Sequence, residues 1–224
     1  MSHGVTFWAE GGSPIGMGHL SRCVNIARAL KRLHIPFSFL VNDEKSVKGR
    51  LEAEGFDFKT ALIAEGSAGA VTEEVVVIDT KKDLKRLTGL LKEAGKKVVA
   101  IDNTTAPEAD SVVVPSAFFR GEKGNRVAGG SEFLIIGENF LRERKNLFIK
   151  EGLNPFKVLV TMGGADPFNL TGLVVNALER LAGIEVTVVM GPASSPSPFL
   201  KRFMETGNPA FRFLYDVADM APLM

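Results

Sequence analysis

Gly11-Gly12-Ser13-Pro14-Ile15-Gly16-Met17-Gly18-His19-Leu20-Ser21-Arg22 joins two patterned segments. Before it runs Val5-Thr6-Phe7-Trp8-Ala9, and after it Leu20, Cys23, Val24, Ala27 and Leu30 recur at helical spacing. The order is strand, glycine-rich turn, helix N-terminus. Backbone N–H groups in a helix's first turn lack intrahelical partners, and the helix dipole adds partial positive charge there. Such a place suits a phosphate, a carboxylate or a developing oxyanion. Gly16 and Gly18 let a ligand approach the backbone, and His19 brings an imidazole, the side chain suited to proton exchange near neutral pH. His19 is therefore the candidate acid or base. Spacing alone leaves a second reading open, in which the glycines serve only a tight turn and the histidine only caps the helix. The dinucleotide fingerprint is not met: Ser21 stands where its third glycine would be, and Asp43 is the only acidic candidate after the next strand.

With 224 residues, 45% hydrophobic and 24% charged, the chain has ordinary globular composition and suffices for one large or two small domains. A net charge of +1, with Lys and Arg dispersed, gives no electrostatic case for nucleic acid or a membrane surface. The single Cys23 has no internal disulfide partner and falls on the apolar stripe of the first helix, as a buried structural thiol does. No stretch has signal-peptide flanks or the length to span a bilayer, so a cytoplasmic location is expected. His3, in the opening tetrapeptide, is given no role.

Downstream, the pattern predicts strands at 37–41, 75–78, 97–101 and 111–115, with helices near 47–54 and 82–94. Residues 56–70 give no clear pattern, and 118–130 reads as a loop. The run Val75-Val76-Val77-Ile78 has the continuous apolar character of a parallel strand buried on both faces, and it ends in Asp79. The next strand ends in Asp102-Asn103. Ligands of open α/β sheets bind outside the carboxyl ends of strands, which puts Asp79 and Asp102 on the same rim as the glycine turn. Aspartates there also serve as plain caps, and that reading stays open.

The basic stretch 142–150 runs into Gly152-Leu153-Asn154-Pro155, the expected linker, and the pattern then restarts. A strand at 157–162 meets a second glycine turn, Gly163-Gly164-Ala165-Asp166-Pro167. A helix at 169–181, a strand at 183–190, a short helix at 198–206 and a strand at 211–214 follow. This repeat predicts two similar α/β domains, residues 1–152 and 153–224. Asn169 and Thr171 are placed to reach a ligand or to cap the helix, and Asp166 and Asn169 are both explained by capping.

Four segments together resemble the glycosyltransferase-B type of two-domain nucleotide-sugar enzymes. They most resemble the UDP-sugar hydrolase of pseudaminic acid biosynthesis and the related spore coat polysaccharide biosynthesis proteins. The segments are Ile15 to Cys23, Ile101-Asp102-Asn103, Gly137-Glu138-Asn139-Phe140-Leu141, and Thr161 to Thr171. The resemblance implies two Rossmann-like domains, the second incomplete, and hydrolysis of a UDP-linked amino sugar at its anomeric carbon without cofactor or metal. His19 would be the base that activates water. Substrate would be held by Gly16, Gly18, Arg22, Asp79, Asp102 and Asn103, and the nucleotide by Gly163, Gly164, Asp166, Asn169 and Thr171. A glycosyltransferase of the same fold and a catalytically silent binding module are the alternatives. The sequence departs from the family pattern at Thr80-Lys81-Lys82, where aromatic or histidine residues are usual, and at Asn103, where a second aspartate is common. It also ends before the family's next glycine-rich segment, from which self-association or a complementing C-terminal polypeptide is expected.

Overall fold

The computed structural model describes residues 4–13, 15–121, 124, 126–146, 155–192 and 194–224. The chain divides into two compact units, one of Met1–Gly11 and Met17–Ile136, the other of Gly12–Gly16 and Gly137–Met224. The expected linker residues 152–154 lie outside the described residues.

In the first unit the apolar runs become β1 (Val5–Ala9), β2 (Phe37–Val41), β3 (Phe58–Thr60), β4 (Val75–Asp79), β5 (Lys97–Ile101), β6 (Ser111–Val114) and β7 (Val127–Gly129). All pair in parallel, in the order β3-β2-β1-β4-β5-β6-β7. Side chains alternate across the strands and build two cores. Phe7, Ala9, Phe39 and Val77 meet α1 (Gly18–Arg32) and α2 (Lys45–Glu54) through Leu20, Cys23, Val24, Ala27, Val47 and Leu51. Trp8, Leu40, Val76 and Ile78 meet α3 (Lys85–Glu93) through Leu87 and Leu91. Helices thus cover both faces, which is why strands β1 and β4 read as apolar runs rather than alternating ones. Each fully buried Leu, Val or Phe contributes about 1.5–3 kcal/mol.

Two expectations are corrected. The segment 118–130 is not wholly loop, because Val127–Gly129 adds to the sheet edge beside β6. Helix α3 begins at Lys85 rather than at residue 82. Before it, Lys82 O accepts from Asn103 Nδ2 and Leu84 N donates to Thr105 Oγ1, so residues 82–84 are held by the next loop. The unpatterned stretch 56–70 supplies β3 and a 3-10 turn at Glu65–Ala70.

The second unit has α4 (Glu138–Glu143), β8 (Phe156–Thr161), α5 (Leu170–Leu178), β9 (Ile184–Met190), α6 (Pro198–Thr206) and β10 (Phe211–Tyr215). Its sheet is parallel, in the order β10-β9-β8. Val160, Val186, Val188 and Met190 pack against Val175 of α5 and against Leu200 and Phe203 of α6.

Candidate active site at the switch point of the first sheet

In this strand order β1 connects outward to β2, and the chain returns to the other side of β1 as β4. The carboxyl ends of β1 and β4 therefore flank the topological switch point, where open α/β sheets leave a crevice. The glycine turn leaves β1 there and Asp79 ends β4.

The turn is braced from within. Gly12 and Gly16 exchange N–H···O bonds of 3.1 and 2.6 Å, and both have positive φ, 95° and 82°. Asn42, at the end of β2, clamps the preceding residue: its Oδ1 accepts from Gly11 N at 2.9 Å and its Nδ2 donates to Gly11 O at 2.8 Å. Helix α1 then starts with neither a side-chain cap nor an acidic residue in its first turn. A Cβ on Gly18 would meet nothing within 4 Å, so the protein's own packing does not require glycine there.

His19 and Arg22 lie one helical turn apart on α1 and both reach Asp79. His19 Nδ1 is 2.6 Å from Asp79 Oδ1. Arg22 donates from Nε to Oδ2 and from Nη2 to Oδ1, both at 2.7 Å, a bidentate fork. The Asp79 carboxylate has no exposed surface, whereas the His19 side chain keeps 13%. An ionised carboxylate only accepts, so this bond assigns a proton to Nδ1, and in the neutral imidazole the lone pair is then on Nε2. The hydrogen bond to Asp79 raises Arg22's affinity for its proton, against a smaller opposing effect of burial. Burial, with Asp79 adding, pushes the Cys23 thiol well above its ordinary range, so Cys23 is no nucleophile.

Asp102 has a left-handed backbone, φ 53°, at the end of β5. Its Oδ2 lies 2.6 Å from Lys81 Nζ and 3.6 Å from Arg22 Nη1. Asn103 faces the other way chemically. Its amide donates to Thr80 O at 2.8 Å and Lys82 O at 2.7 Å, and its Oδ1 accepts from Thr105 N and Oγ1 at 2.9 and 2.7 Å. With all four bonds made, the Asn103 side chain is fully engaged within the protein, and it ties two loops together. The two departures from the family pattern, Thr80-Lys81-Lys82 and Asn103, thus contact each other. Sequence reasoning missed Asn42, having weighed its neighbour Asp43, which is instead paired with Lys48. It also missed the buried Glu10, whose Oε1 accepts from Ile63 N and Lys82 Nζ.

In the second glycine turn, Asp166 Oδ1 accepts from Leu170 N at 2.9 Å and Oδ2 from Thr171 N at 3.0 Å. Asp166 thus satisfies the start of α5, and Thr171, nearly buried, is bound to it. Burial opposes the charge on Asp166, but hydrogen bonds from Thr171 and Leu170 outweigh it and hold the carboxyl below its ordinary value. Gly163 has φ 74°, and a Cβ on it would meet nothing within 4 Å; it is Gly191, just after β9, that must lack a Cβ, because one there would overlap the backbone of Gly163 and Gly164. Asn169, φ 51°, makes no cap bond and lines a groove of about 340 Å³ with Phe168, Leu173 and Phe199.

No helix of the described residues is long and apolar enough to cross a membrane. No family model matches the chain. Over 239 residues it is 26% identical to the spore coat polysaccharide biosynthesis protein SpsG of Bacillus subtilis, covering 98% of this chain and 68% of that protein. It is 23% identical over 244 residues to the uncharacterized protein MJ1062 of Methanocaldococcus jannaschii, covering 98% of this chain and 49% of that one. The chain thus spans about two thirds of one curated relative and half of the other. Among solved structures, Anabaena HepE in complex with UDP superposes with a TM-score of 0.61 at 13% identity, over 98% of this chain and 71% of that one. A glycosyltransferase of Rickettsia africae gives 0.57 at 10% identity, over 98% and 70%. The UDP-GlcNAc 2-epimerase of M. jannaschii, in complex with UDP-GlcNAc and UDP, gives 0.53 at 14%, over 98% and 75%. At these identities the likeness establishes the fold, an α/β fold of the glycosyltransferase-B type with a seven-stranded and a small three-stranded parallel sheet.

Proposed function

We propose that the chain is a nucleotide-sugar hydrolase that releases UDP from a UDP-linked amino sugar and serves cell-surface polysaccharide or nonulosonic acid biosynthesis. The observation that carries this reading is the 2.6 Å bond from His19 to buried Asp79 at the switch point, which leaves Nε2 as a free base. In the reaction a water attacks the anomeric carbon while Nε2 takes its proton. The bond from that carbon to the diphosphate oxygen breaks, UDP leaves with the electron pair, and the proton is later given up to solvent. Uncapped N–H groups at the start of α1, with open space in front of Gly18, suit the negative charge that grows on the leaving group. The similarity to SpsG supports the place in polysaccharide biosynthesis, and HepE and the epimerase, solved with UDP, support the nucleotide.

The second reading is a glycosyltransferase, favoured by the fold shared with the Rickettsia glycosyltransferase. There Nε2 would deprotonate an acceptor hydroxyl instead of water. Phosphorus NMR of the chain with UDP-linked acetamido sugars, with and without a sugar acceptor, separates the two. Release of free UDP without acceptor, lost in His19→Asn, supports the hydrolase; release only with acceptor supports the transferase. Absence of release under both conditions, with no broadening of UDP signals, refutes both and leaves the chain a silent module.

A further inference from the structure

Arg22, expected from the sequence to hold substrate, is committed through Nε and Nη2 to Asp79. We infer that Arg22 is a positioning residue: it cancels the charge of Asp79 while sharing Oδ1, whose second lone pair still orients His19. This rests on the reading of His19 as a base, but it is measured on the protein without substrate.

A carboxylate buried beside an imidazole favours the imidazolium, and an imidazolium is not a base. The site therefore needs the orienting bond of Asp79 without its full field. The bidentate fork provides both, since it fixes the carboxylate plane and sets a positive charge against it. Arg22 lies three residues after His19, so both side chains leave the same face of α1 and Nη2 comes 3.1 Å from His19 Nδ1. Among the described residues, the charged groups around the imidazole are Asp79 from β4, Arg22 from α1, and behind them Asp102 and Lys81. They form a row of alternating charge, Asp79, Arg22, Asp102, Lys81, with no net excess. Cys23, buried next to Arg22, adds no charge. A lysine could supply the charge but not the fork.

The test is an NMR titration of His3, His19 and His34 in the ligand-free chain, assigned by single substitutions, for wild type, Arg22→Gln, Arg22→Lys and Asp79→Asn. In Arg22→Gln the His19 midpoint rises by about one pH unit, about tenfold in proton affinity, with His34 as unmoved control. Arg22→Lys stays within about half a unit of wild type because the charge is restored. In Asp79→Asn the midpoint falls, Arg22 now being unopposed, and the ¹⁵N shifts lose their Nδ1–H preference. A folded Arg22→Gln with an unmoved His19 midpoint overturns the inference. Where Arg22→Gln does not fold, an unmoved midpoint in Asp79→Asn overturns it equally. Failure of the hydrolase reading would leave these midpoints as expected, so the two failures are distinct.

Discussion

Replacing Asn103 with aspartate changes one amide nitrogen to oxygen and removes both donors that tie the Thr80–Lys82 loop to the end of β5. Thr80 O and Lys82 O, at 2.8 and 2.7 Å from Nδ2, would each lose a donor and face a carboxylate oxygen instead. The bonds from Thr105 to Oδ1 survive, so the change isolates the two donors. Stranding a buried acceptor costs about 1–3 kcal/mol, which puts the loss near 3 kcal/mol for the pair. Trp8 is the sole tryptophan and is fully buried in the first unit, so its fluorescence reports unfolding of that unit. With a urea slope of about 2 kcal/mol/M, the midpoint falls by about 1.5 M. Acidification should restore part of the loss, because a protonated carboxyl regains one donor. A midpoint shift below about 0.3 M at neutral pH would refute the reasoning and return Asn103 to the ligand-binding candidates.

Gly18→Ala separates scaffold from site: with open space for a Cβ, its unfolding midpoint stays at or slightly above wild type, while UDP release falls severalfold. Loss of stability without loss of release would reverse that assignment. Gly191→Ala does the opposite, forcing the Gly163–Gly164 turn away and costing about 1–3 kcal/mol, read as faster hydrogen exchange in β9 and α5. Asp166→Asn weakens the start of α5 by about 1 kcal/mol, seen as faster exchange at Leu170 and Thr171. Because the folded Asp166 carboxyl lies below its ordinary value, the wild-type contribution is complete above the unfolded pKa and is lost as pH falls through the lower folded one. Protection of these amides should therefore persist to about pH 4 and fail below it; failure at pH 6 would contradict the capping role.

Local signals carried much of the architecture. Strands β1, β2, β4 and β5 were legible because strands covered on both faces are predominantly apolar, β9 because its β-branched run lies between Gly183 and Gly191-Pro192, and α1 because its stripe repeats over four turns. Strand β7 was not legible: three residues, Val127-Ala128-Gly129, are too few to set a period, and they pair only because β6 offers a free edge. His19 and the glycine turn could be singled out from their place before a helix. The partnership of His19 and Arg22 with Asp79 could not, since 60 and 57 residues separate them and only the parallel pairing of β1 with β4 closes that distance. The same holds for Asn42 against Gly11, 31 residues apart, and for Asn103 against Thr80. Sequence determines which segments are strands, helices and turns, because period and apolar run are properties of neighbours along the chain. Which polar side chains hold one another was decided by the tertiary structure alone, since a buried carboxylate takes whichever donors the sheet order brings to it.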